Sequence, residues 1–100
     1  NIYPSQVEEA IYRHPAVEEV IVAGVEDAYR QQTVKAFVKL RAGQSLDAED
    51  LTTFLKDKLS AIELPKHIEF RDELPKTLIG KLSKKEVIAE EAAKRNARTS

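Results

Sequence analysis

The sequence predicts an α+β domain: a small three-stranded sheet with helices packed on it, plus a β-hairpin that carries a Gly-Lys tip. A β-branched run from Val17 to Gly24 and a strict apolar–polar alternation from Thr33 to Arg41 predict the first two strands. Helical spacing of apolar residues before the first strand and after the second predicts two helices. The expected order of elements is α-β-β-α-β-hairpin-α.

The first helix is expected to begin near Pro4, because proline suits the first helical turn. Ser5 and Glu8 match the spacing of a capping box, which indicates the same start. The pair His14-Pro15 is predicted to end the helix. Its apolar stripe has the i, i+3, i+4 spacing and consists of Val7, Ala10 and Ile11.

The second strand follows a polar connection at residues 27–32 and has one apolar face and one mixed face. The apolar face consists of Val34, Ala36, Val38 and Leu40. The mixed face consists of Lys35, Phe37 and Lys39. This pattern is typical of a half-buried strand, which covers a core on one side only.

The second half of the chain is predicted to contain a helix, a short strand, a hairpin and a last helix. The helix runs from about Asp47 to Ser60, the strand covers His67 to Arg71, and the hairpin covers Leu74 to Leu82. The apolar face of the helix consists of Leu51, Phe54, Leu55 and Leu59. A second capping-box match, Ser83-x-x-Glu86, opens a last helix that runs to about Ala97.

Length and composition predict one small domain, with residues 1–82 as its core and residues 83–100 as a terminal helix and frayed tail. The chain has no cysteine, which excludes disulfides and fits a cytoplasmic setting. No apolar stretch approaches the ~20 residues that span a bilayer. A net charge of −1 argues against a general nucleic-acid binder. His14 and His67 are isolated, so no metal site is expected.

Positive charge is concentrated near the C-terminus, where residues 66–100 carry a net charge of +3 against −4 for residues 1–65. Four lysines fall within ten residues: Lys76, Lys81, Lys84 and Lys85. Because glycine permits a sharp turn and lysine is a point charge on a flexible stem, Gly80-Lys81 could place one cation in an anionic site. The residues alone leave a second interpretation open, in which the hairpin simply turns at Gly80 and its lysines keep it soluble.

Two motifs, one at each end of the chain, are informative together. One is the signature run Leu74-Pro75-Lys76-Thr77-Leu78-Ile79-Gly80-Lys81, which has the form P-x-x-x-x-G-K. The other is Asn1-Ile2-Tyr3-Pro4-Ser5-Gln6-Val7-Glu8. Further similar runs are His14-Pro15-Ala16-Val17 and Leu64-Pro65-Lys66. Together these runs resemble the C-terminal lid domain of AMP-forming acyl-CoA synthetases. The resemblance extends over roughly residues 1–86, in the family's order and spacing.

The resemblance implies the lid of a larger adenylate-forming enzyme, a fatty-acid–CoA ligase that works by domain alternation. Lys81 would be the catalytic lysine of adenylation, and Gly80 would help to bind the cofactor. Asn1 would join the CoA path after the lid rotates. The implied cofactors are ATP, with Mg²⁺ bound by the N-terminal domain, and CoA. On its own, the chain is expected to be inactive.

The implied partners are the N-terminal adenylation domain of the same enzyme and a small-molecule carboxylic acid. The signature run also resembles a site that protein acetyltransferases modify in this family, so acetylation of Lys81 is a regulatory hypothesis. Two alternatives stay open. One is the lid of an enzyme that loads an acyl group onto a carrier protein, and the other is a non-catalytic α+β interaction module.

Overall fold

The computed structural model describes residues 2–26 and 32–99. Within these residues the elements are α1 (Pro4–Tyr12), β1 (Val17–Glu26), β2 (Gln32–Leu40), α2 (Ala48–Leu55), β3 (His67–Phe70) and α3 (Lys84–Thr99). The strands form one sheet in the order β1-β2-β3, with β1 antiparallel to β2 and β2 parallel to β3. The predicted α+β class and element order are confirmed. Most of the predicted polar connection, residues 27–31, lies outside the described residues.

One face of the sheet is covered by α1 and α2, as the apolar face of β2 predicts. Alternate residues of β2 point to this side because successive side chains of a strand lie on opposite faces. They pack against apolar side chains from both helices. The buried members of this first core include Val34, Ala36 and Val38 of β2, Val7 and Ile11 of α1, and Leu51 and Leu55 of α2.

The opposite face of the sheet holds a second core, so the prediction of a half-buried β2 is wrong. Phe37 is fully buried on this side together with Ile21, Ala23, Leu74 and Val87. Val87 belongs to α3, which returns across this face. The flanking lysines that made the face look polar are satisfied by ion pairs: the Nζ atom of Lys35 lies 3.1 Å from a carboxylate oxygen of Glu69.

The start of α1 differs from the capping-box prediction. The N-cap position is Tyr3, and no side chain among the described residues caps this helix. The helix begins at Pro4, so Ser5 lies inside its first turn and cannot serve as the N-cap. The carboxylate of Glu8 instead accepts a hydrogen bond of 2.8 Å from the backbone N–H of Val22, which ties α1 to β1.

The ends of α2 and α3 also differ from their predicted positions. α2 stops at Leu55 instead of Ser60. The backbone N–H of Ser60 donates to the carboxylate of Glu63 at 2.9 Å, which stabilises a turn after the helix and lowers the pKa of Glu63. α3 continues to Thr99, two residues past its predicted end near Ala97. Fraying of the tail stays a prediction.

Replacing Asp47 by alanine is expected to destabilise the domain by about 1 kcal/mol, because Asp47 is a true N-cap. Its carboxylate accepts a hydrogen bond of 2.7 Å from the backbone N–H of Asp50. Urea denaturation followed by circular dichroism measures the loss. Ser5→Ala is the matched control and should change the free energy of unfolding by less than about 0.5 kcal/mol. Equal losses in the two variants would contradict the assigned caps.

Candidate functional site

The candidate site is a tight loop at residues 75–83, termed here the Gly-Lys loop. An antiparallel bridge between Lys76 and Leu82 closes its base. The backbone N–H of Ser83 donates to the carbonyl of Pro75 at 2.8 Å. Leu82 packs against the second core, and Leu74, just before the loop, is buried in it. The base of the loop is therefore fixed to the body of the domain.

The tip of the Gly-Lys loop is a hydrogen-bonded turn. The backbone N–H of Thr77 donates to the carbonyl of Lys81 at 2.7 Å, and that of Gly80 donates to the carbonyl of Thr77 at 2.9 Å. The hydroxyl of Thr77 accepts a further hydrogen bond of 3.3 Å from the backbone N–H of Lys81. Gly80 has φ +86°, in the left-handed region that favours glycine. The predicted hairpin with a Gly-Lys tip is confirmed.

Replacing Gly80 by alanine is expected to destabilise the domain by about 1 kcal/mol, because a Cβ makes its left-handed backbone unfavourable. No described atom outside its immediate chain neighbours lies within 4 Å of a Cβ built there, so the cost comes from the backbone alone. Gly24→Ala is the matched control. It is equally open in the described structure, has no positive φ, and lies in a strand, where alanine is favoured over glycine. Urea denaturation should separate the two variants, and equal effects would contradict the assigned cause.

The four clustered lysines have different surroundings. The Nζ atom of Lys76 lies 3.0 Å from a carboxylate oxygen of Glu19, and that of Lys84 lies 3.6 Å from one of Glu8. Among the described residues, neither Lys81 nor Lys85 forms an ion pair, and both are exposed. Lys81 is therefore the cation that the tip of the loop presents to its surroundings, while Lys76 forms an ion pair within the domain.

Two large aliphatic residues share the tip with this cation. Leu78 is fully exposed and Ile79 is 78% exposed, directly before Gly80 and Lys81. The tip therefore combines one positive charge with exposed apolar surface. Their exposure could not be predicted from the sequence, because apolar residues between Leu74 and Leu82 are equally typical of a buried core.

The remaining predicted site residues are less informative. Asn1 lies outside the described residues. The Nδ1 atom of His14 accepts a hydrogen bond of 3.1 Å from the backbone N–H of Ala16, and its ring packs edge-on against that of Phe54 with 4.8 Å between the ring centroids. These contacts give His14 a structural role.

Over the part of the chain that the structure describes, no group of three or more acidic or histidine side chains could hold a metal ion. None of the helices described there is both long and apolar enough to cross a membrane.

Comparison with known proteins gives one consistent result. A family model for the AMP-binding enzyme C-terminal domain matches residues 6–81. A long-chain-fatty-acid–CoA ligase of Bacillus subtilis is 50% identical over 91 residues, which are 91% of this chain and 16% of that protein. The chain thus spans about a sixth of the length of this relative.

Two solved structures are similar to this chain over most of its length. An acyl-CoA synthetase of Brucella canis has a TM-score of 0.82 at 41% identity, covering 92% of this chain and 18% of that one. The o-succinylbenzoate CoA synthetase of Bacillus subtilis, solved in complex with an acyl-adenylate intermediate, has a TM-score of 0.77 at 32% identity. The alignment with it covers 87% of this chain and 18% of that one. In both comparisons the matched part is a small fraction of a larger protein.

Proposed function

This chain belongs to the AMP-binding enzyme C-terminal domain family, and on that premise we propose that it is the lid of an AMP-forming fatty-acid–CoA ligase. The single observation that carries the proposal is the state of Lys81. It is exposed at the tip of a hydrogen-bonded loop and forms no ion pair within the described residues. The other lysine of the signature run is held by Glu19. A lone cation on a fixed support is what an adenylation lysine requires.

In the proposed first half-reaction, a carboxylate oxygen of the fatty acid attacks the α-phosphorus of ATP, and the bond to pyrophosphate breaks. Two anions must approach each other in this step, which is unfavourable without a positive charge between them. The ammonium group of Lys81 would lie between the substrate carboxylate and the α-phosphate. There it would stabilise the charge that develops in the transition state and hold the reacting atoms close together.

In the proposed second half-reaction, the sulfur of CoA attacks the acyl carbon and AMP leaves. The lid would rotate between the two steps, so that Lys81 withdraws. The proposal gives Asn1 a place on the CoA path and Gly80 the task of letting the loop approach the nucleotide. ATP and CoA are its cofactors, and Mg²⁺ belongs to the N-terminal domain. A cytoplasmic location stays a prediction from the cysteine-free sequence.

The proposal is tested with the full-length enzyme that contains this chain. We expect acid-dependent exchange of pyrophosphate into ATP, and CoA-dependent release of AMP, with fatty acids of graded chain length. The isolated 100-residue chain is the control and should catalyse neither reaction. Pyrophosphate exchange followed by transfer only to a carrier protein would support the carrier-loading alternative. The absence of acid-dependent exchange would contradict both enzymatic proposals.

Acetylation of Lys81 is the regulatory part of this proposal. Exposure of the side chain supports it, because a modifying enzyme must reach the ammonium group. Acetylation removes the positive charge, so adenylation should fall while the fold is unchanged. Intact-mass and peptide analysis after treatment with a protein acetyltransferase and acetyl-CoA is the test. Modification of other lysines with Lys81 untouched would contradict it.

A further inference from the structure

We propose that Glu19 is a positioning residue for adenylation, because it holds Lys76 and thereby fixes the point from which Lys81 reaches its substrates. The inference rests on the proposed function of Lys81. It concerns a residue of β1 that lies outside the signature run and that the sequence patterns did not single out. The supporting observations are the burial of Glu19, the contacts of its two oxygens, and the place of Lys76 in the Gly-Lys loop.

Glu19 is a carboxylate that needs a close cation. Its side chain is only 18% exposed, and one of its oxygens lies 3.0 Å from the Nζ atom of Lys76. The other oxygen, Oε1, is buried and accepts no hydrogen bond from any described group. A largely buried carboxylate is unfavourable unless it is paired with a cation. Breaking the contact with Lys76 would therefore cost free energy.

Lys39 is the second cation near Glu19, but it lies closer to two other carboxylates. Its Nζ atom is 4.0 Å from Oε1 of Glu19, at the limit of an ion pair. The same atom lies 3.1 Å from Glu18 and 3.4 Å from Glu73. The hydrogen bond to Glu18 is also the main cause that raises the pKa of Lys39. Lys76 is therefore the close partner of Glu19.

Lys76 transmits this constraint to the tip. It is one half of the bridge that closes the Gly-Lys loop, and Leu82 is the other half. The turn that ends in Lys81 begins at the residue after Lys76 and stops at the residue before Leu82. An ionic contact thus fixes one arm of the loop, and the packing of Leu82 on the second core fixes the other. A misplacement of a reacting group by about 1 Å can lower a rate by about a hundredfold. The position of the base of the Gly-Lys loop should therefore affect the rate of adenylation.

The test uses the full-length enzyme and measures the two half-reactions separately. Glu19→Gln and Lys76→Met should each lower kcat of adenylation by about ten- to a hundredfold. Thioester formation from supplied acyl-adenylate should change by less than about twofold, because Lys81 is withdrawn in that step. Lys76→Arg keeps the charge and should restore adenylation to within about threefold of the parent enzyme. A merely structural role would reduce both half-reactions together.

The matched control is Glu90→Gln, which breaks the ion pair of Glu90 with Arg71 at 2.6 Å and has no described contact with the loop. It should leave both half-reactions unchanged. Lys76→Met alone leaves the carboxylate of Glu19 buried without its close cation and could be too unstable to assay. The double variant Glu19→Gln with Lys76→Met removes both charges and keeps the test decisive in that case. Adenylation should stay reduced in this double variant.

Three results would overturn the positioning role: unchanged adenylation in Lys76→Met, equal losses in both half-reactions, or recovery in the double variant. A different pattern would count against the proposed function itself. That pattern is a parent enzyme that forms no acyl-adenylate, or a Lys81→Ala variant that adenylates normally. The two failures are therefore distinguishable within one set of assays.

Discussion

Lys81→Ala in the full-length enzyme is expected to lower the rate of adenylation by about a hundred- to a thousandfold, the usual effect of removing one preorganised electrostatic group. Thioester formation from supplied acyl-adenylate should change by less than about twofold. The reason is that, in the proposed mechanism, the charge of Lys81 is needed only where the carboxylate and the α-phosphate are brought together. Exposure of Lys81, and the absence of an ion pair to it within the described residues, mean that little folding energy depends on it.

Pyrophosphate exchange measures the first half-reaction, and release of AMP from synthetic acyl-adenylate in the presence of CoA measures the second. Lys56→Ala is the control, because Lys56 is also exposed but lies just after α2. It should change neither rate. Equal losses of both half-reactions in Lys81→Ala would contradict the assignment of Lys81 to adenylation.

Phe37→Ala is expected to cost about 3–5 kcal/mol of stability, which is a large part of the 5–15 kcal/mol typical of a small domain. Phe37 is fully buried and is the largest side chain of the second core. Its ring also faces two cations. The Nζ atom of Lys35 lies 4.9 Å from the ring centroid, and the guanidinium carbon of Arg71 lies 5.0 Å from it. Alanine would leave a cavity between the sheet and α3 and would remove the surface on which these charges lie.

Urea denaturation of the 100-residue chain, followed by circular dichroism, measures this loss. Leu78→Ala is the control, because it also shortens a large apolar side chain but at a fully exposed position. It should change the free energy of unfolding by less than about 0.5 kcal/mol. A loss in Phe37→Ala as small as that expected for Leu78→Ala would mean that the second core contributes little to stability.

The elements that local sequence determines were predicted well. The alternation in β2 identified the first core because the period of two is a property of the strand itself. The starts of α2 and α3 were predictable because their capping contacts join residues three apart in the sequence. In α2 the backbone N–H of Asp50 donates to Asp47, and in α3 that of Glu86 donates to the hydroxyl of Ser83. Ser5 does not cap α1, because the helix starts at Pro4, two residues earlier than a Ser5 cap would require.

The second core and the state of the lysines could not be predicted in the same way. Burial of Phe37 depends on α3, which is about fifty residues further along the chain and returns across the sheet. Whether a lysine is paired depends on carboxylates that are distant in sequence, such as Glu19 for Lys76. The signature run predicted that Lys81 lies at a turn. The structure adds that its neighbour Lys76 is committed to an ion pair inside the domain.

Every contact described for the Gly-Lys loop comes from within this one chain: Glu19 of β1, the second core, and the start of α3. These contacts hold the base and the turn of the loop within the domain. If the proposed lid role is right, we expect this domain to be a transplantable unit. Exchanged between two synthetases, it should bring its own loop geometry with it, so that in such a hybrid only the surface between lid and host has to be redesigned.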